Sequence, residues 1–159
     1  MSQAVLARQF IRDAAGQLQV SFTLPSNRPL YGPTKIGELG FTTLPDQPSA
    51  FVSLPIVDVT GLKPDGSTAA NAFGLSGRVV MLGEAPLLEC LLSNGSPLLI
   101  LYGKPASGYG IDTRTDLVFG DWQTVLSDLT IGTSLYLELA TPPSTYPVNF
   151  YRAFRAPQP

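Results

Sequence analysis

The chain has 159 residues, a formal charge of -2, only 14% charged residues, and 15 each of Gly and Pro. Sparse charge excludes electrostatic capture of nucleic acid, which needs clustered Lys and Arg. Frequent Gly and Pro exclude long solvated helices. The absence of histidine removes the commonest general base and metal ligand, and with it any Ser-His-Asp triad.

No basic region followed by a long apolar one is visible in Met1–Arg8, and no run reaches the 18 or so apolar residues of a membrane span. Leu6 and Phe10 would share a helical face, yet Val5, Leu6, Phe10 and Ile11 are also strand formers, and the short loop Asp13-Ala14-Ala15-Gly16 favours a strand. In Leu18–Leu24, Leu18, Val20, Phe22 and Leu24 alternate to one face. After the breakers Pro25–Pro29 and Tyr31-Gly32-Pro33, Lys35–Thr43 is expected to be a strand carrying Ile36, Leu39 and Phe41. Ala50–Val59 resumes the β pattern, with Pro55 marking an edge or bulge. Lys63-Pro64-Asp65-Gly66 has turn chemistry, because Pro presets the first central position and Gly accepts the left-handed one. Gly77–Leu82 closes the first half, and Gly83-Glu84-Ala85-Pro86 is the expected boundary between modules 1–84 and 85–159.

Leu87–Leu92 and Leu98–Tyr102 are apolar strands flanking Asn94-Gly95, the dipeptide of a tight hairpin. Asn94-Gly95-Ser96 also fits a glycosylation acceptor, although the turn role accounts for it. Cys90 in this run reads as a buried thiol acting as a small hydrophobe. Gly103–Gly108 then suggests a loop pairing Leu98–Tyr102 with Tyr109–Arg114 as a hairpin, around which the second half is organised. Trp122–Leu126, Leu135–Leu139 and Asn149–Phe154 complete ten or eleven short strands. The fold expected is all-β: two small antiparallel β-sandwich modules, the first incomplete and completed by a partner strand.

Few residues suggest chemistry. Asp112, Asp116, Asp121 and Asp128, with Asp58 and Asp65, lack the dense spacing of a calcium loop and read as surface turn carboxylates. No metal site, cofactor or catalytic residue is expected, and no glycine-rich phosphate loop precedes a helix. Tyr31, Tyr109, Tyr136, Tyr146 and Trp122 could form a sugar-stacking platform, with Trp122 better placed as a core anchor.

Two resemblances follow. Tyr109–Leu117, Asp121-Trp122-Gln123-Thr124-Val125 and Asn149-Phe150-Tyr151-Arg152-Ala153 together resemble a C-terminal β module of large secreted bacterial proteins, over about residues 87–156. Arg114 stands where that module has a small residue. Gly16–Pro25 and Ile36–Phe41 are similar to the later strands of a cohesin-like sandwich, whose earlier strands would precede Val5. The resemblances imply a non-enzymatic extracellular or cell-surface protein. An open sandwich would bind copies of itself through strand edges, with Val5, Leu6, Phe10 and Ile11 as the partner-binding residues. A carbohydrate-binding module of a secreted multidomain protein, taking polysaccharide, is the alternative.

Overall fold

The computed structural model describes residues 7–12, 17–23, 35, 38, 40–63, 65–70 and 72–157. Over these residues the chain is all-β, with ten strands in four antiparallel sheets and no helix. Two compact units emerge, Met1–Thr42 with Asp58–Phe73, and Thr43–Val57 with Gly74–Pro159.

In the first unit, β1 (Ala7–Arg12) pairs antiparallel with β2 (Leu18–Thr23), bringing Phe10 opposite Val20 and Ile11 opposite Gln19. A bridge joins Leu62 to Thr68 around a turn in which Gly66 has φ +82° and donates its N–H to Lys63 O at 2.9 Å. The strand expected over Lys35–Thr43 does not form across residues 40–43, and Phe41 is exposed. Ile36, Leu39 and Phe41 do not keep a period of two, so they specify no apolar face.

In the second unit, β3 (Ala50–Leu54), which stops before Pro55, pairs with β4 (Gly77–Met81). Next, β5 (Leu87–Ser93) and β6 (Ser96–Tyr102) form a hairpin closed by Asn94 and Gly95, both at positive φ, as a mirror-image two-residue turn requires. β9 (Tyr136–Ala140) adds to the other edge of β6. β7 (Gly108–Arg114) is the central strand of a second three-stranded sheet, between β10 (Phe150–Arg155) and β8 (Gln123–Thr130). The two three-stranded sheets pack face to face as a sandwich. Leu101, Tyr109 and Ile131 form its centre, with Leu88, Leu129, Leu137, Leu139 and Ala153 around them.

β6 and β7 are therefore not the hairpin that their sequence suggests. They belong to different sheets, and the loop 103–107 arches across the core between them. The reason is local. Tyr109 is 1% exposed, and its ring folds back under the arch, where its hydroxyl accepts from Lys104 N–H at 2.7 Å and donates to Lys104 O at 3.1 Å. A Cβ at Gly103 would lie 2.5 Å from Tyr109 Cζ, so only glycine lets the arch lie on the ring.

The grouping also differs from the expected division at 84/85, since β3 and β4 belong with the later strands. The stretch expected to be the boundary is laced to residues 47–49. Gly83 N–H donates to Ser49 Oγ at 2.7 Å, the Ser49 hydroxyl donates to Ala85 O, and a Cβ at Gly83 would collide with Gln47 O. Arg78 on β4 clamps Glu89 on β5 and stacks on Phe51, whose ring meets Tyr102 edge-on at 5.5 Å.

Candidate functional site

The register of the β10-β7-β8 sheet sorts the motif residues by face. Asp112 lies opposite Arg152 on β10 and Thr124 on β8. Its carboxylate, 6% exposed, accepts from Arg152 Nε at 3.0 Å, Arg152 Nη2 at 2.9 Å and Thr124 Oγ1 at 2.8 Å. The guanidinium of Arg152 also lies 4.5 Å from the Trp122 ring centroid, and Arg114 lies 5.2 Å from it. Trp122 is thus a half-buried plate beneath two cations, rather than the core anchor expected. Asp112 is a buried bracing group, rather than a surface turn carboxylate. In this way the Arg of Phe-Tyr-Arg-Ala, the Trp of the turn and the Asp of β7 brace one sheet face.

The opposite face of the same sheet carries the core. Tyr109, Ile111 and Thr113 alternate on β7, so the buried row continues towards the end of the sandwich and turns polar at Thr113, which pairs with both Tyr151 and Gln123. These three side chains form the floor of an open groove of about 390 Å³. One wall is the loop after β7. Asp116 Oδ1 accepts from the N–H groups of Val118 and Phe119 at 2.7 and 3.1 Å, and Arg114 Nη2 donates to Phe119 O at 2.8 Å. The other wall is the loop before β10, where Ser144 Oγ accepts from Tyr146 N–H at 3.1 Å and donates to Asn149 Oδ1 at 2.9 Å, while Asn149 Nδ2 donates to Tyr146 O at 3.2 Å. Phe119, 76% exposed, and Tyr146, 62% exposed, stand on the two walls.

Sequence reasoning left Tyr146 uncommitted, quoted Gln123 and Asn149 only as members of the β-module motifs, and did not single out Phe119. For Phe119 and Tyr146 the signal was a pair of Gly/Pro/Ser-rich breaks around the last strands. Of the other aromatics, Tyr109 is core, Tyr136 tilts against Tyr102 at 6.2 Å, and Tyr31 lies outside the described residues. Of the expected partner-binding residues, Val5 and Leu6 lie outside the described residues, while Phe10 and Ile11 are on β1.

Several other carboxylates brace structure. Glu84 bridges Lys104 and Arg155, and hydrogen bonding to Lys104 holds its pKa below the usual carboxylate value. Glu89 is held low by Arg78, Asp116 by the N–H groups of Val118 and Phe119, and Asp65 by Ser67. Asp58 and Asp128 occupy positive-φ positions, the latter at the irregularity where β8 carries extra residues against β7. Among the described residues no three of His, Cys, Asp and Glu gather as metal ligands would.

Cys90 is exposed, not buried as expected. In the native protein Ellman's reagent should therefore titrate one thiol per chain within minutes, at nearly the rate seen in denaturant. A thiol that reacts only after unfolding would contradict this exposure. Comparison of the chain with protein-family models, with curated proteins and with solved structures finds no match.

Proposed function

We propose that the chain is a non-catalytic extracellular structural or interaction protein, a module of a cell-surface or filamentous assembly joined through β-strand edges. The observation that carries this reading is β5. It is an edge strand whose hydrogen-bonded neighbour among the described residues is β6, and Cys90–Ser93 are exposed on both faces. Leu92 is 79% exposed and Leu91 40%. Edge strands are ordinarily blunted by Lys, Pro or a bulge; Cys90-Leu91-Leu92-Ser93 has none of these and presents free N–H and C=O groups beside apolar side chains. Addition of a strand from a second copy would satisfy both. β1, with Phe10 and Ile11, offers a second edge, and two different edges joined head to tail propagate rather than close.

The non-catalytic part is supported by the carboxylates. Among the described residues, each carboxylate whose pKa departs from the ordinary value moves down, towards a fixed anion, which is the opposite of what a general acid needs. Among the described residues no helix is long and apolar enough to cross a membrane.

Light scattering across a concentration series tests the assembly. The mass should rise above the 17.0 kDa of one chain as concentration increases, and Leu92→Lys should hold it at the single-chain value. A compact monomer that is indifferent to concentration refutes it.

A further inference from the structure

We infer that the groove between the Phe119 and Tyr146 loops is a binding site for a neutral polysaccharide chain, lined by residues outside β5. Its floor is a row of one hydroxyl, one phenol and one amide, Thr113, Tyr151 and Gln123, aligned across three strands by the register and so held at strand spacing. Thr113 Oγ1 donates to Phe150 O at 3.1 Å and so meets a ligand as an acceptor. Its walls each raise one aromatic ring. A pyranose has the matching chemistry: an apolar C–H face that stacks on a ring and a rim of hydroxyls that both donate and accept.

The charge balance favours a neutral sugar. The groove is lined by one carboxylate, Asp121, and one cation, Arg114, whose guanidinium is engaged with Phe119 O and the Trp122 ring. Open geometry favours a polymer over a small ligand, because an enclosed pocket would bury most of a small molecule and this groove does not. Both walls are braced from within by Asp116, Ser144 and Asn149, so the backbone that carries the two rings is set before a ligand arrives, which lowers the ordering cost of binding. A peptide recognised by strand addition would lie along the outer backbone of β8 or β10, whereas the groove is floored by side chains on the sheet face.

The test is native affinity electrophoresis of the full chain through gels containing hydroxyethylcellulose, laminarin, galactomannan or glycogen, with retention on an immobilised proline-rich peptide run in parallel. At least one polysaccharide should retard the protein, and the retardation should persist at high salt. Tyr146→Ala and Phe119→Ala should each weaken it roughly tenfold, the loss of one stacking contact, with unchanged melting temperature because both rings are exposed. Gln123→Ala, on the floor, should weaken it without touching either wall. Passage through every gel without retardation, retardation undiminished in all three variants, or retention on the peptide alone would overturn the site. Leu92→Lys should leave polysaccharide binding intact, so this result and the assembly result fail separately.

Discussion

Replacing Arg152 by Met should cost about 3 kcal/mol and lower the melting temperature by roughly 10 °C or more, whereas Asp112→Asn should cost only about half as much. The asymmetry follows from burial. The Asp112 side chain is 8% exposed and that of Arg152 is 53%. Without Arg152 the carboxylate stays inside the sheet face with only the Thr124 hydroxyl to stabilise it, and an unpaired buried anion is the costly case. Without the Asp112 charge the guanidinium turns to water and keeps its place over Trp122. Thermal melts followed by circular dichroism check the order. Equal losses, or a larger loss for Asp112→Asn, would show that the pair is a surface contact with little buried character.

Tyr109→Ala should be more damaging still, at about 4 kcal/mol, since it empties the centre of the sandwich and unpairs the Lys104 N–H. Tyr109→Phe separates the two effects. It keeps the ring and should cost about 1–2 kcal/mol for the lost hydroxyl. Gly103→Ala acts from the other side by forcing the ring away, with an expected cost of about 1–3 kcal/mol. Chemical denaturation of the three variants should therefore rank Tyr109→Ala as the least stable. A Tyr109→Ala protein as stable as the parent would mean that the arch does not rest on this ring.

The sequence made the strands themselves readable wherever side chains alternate or a turn has special backbone needs. β2, β9 and the Asn94-Gly95 hairpin fall where Leu18–Leu24, Leu135–Leu139 and that dipeptide place them. Periodicity says which face a residue takes, not which strand lies beside it, so β6 and β7 looked like partners while they face each other across the core. The same limit hid the place of β3 and β4, which depends on Ser49, Gly83 and Arg78 meeting residues far along the chain. The groove was harder again. Thr113, Tyr151 and Gln123 come from three strands, and Phe119 and Tyr146 from loops whose sequence announces only that a strand has ended.

The arch at Gly103 has a kinetic corollary. Leu101 and Tyr109 touch across the sandwich although few residues separate them, so the interior of both layers can be seeded by closing one very short loop. The C-terminal strand, whose register with β7 joins residues about forty apart, completes the second layer at greater entropic cost. Synthesis from the N-terminus thus leaves an early two-layered seed waiting for its last strand, with Asp112 lacking its cation until that strand docks.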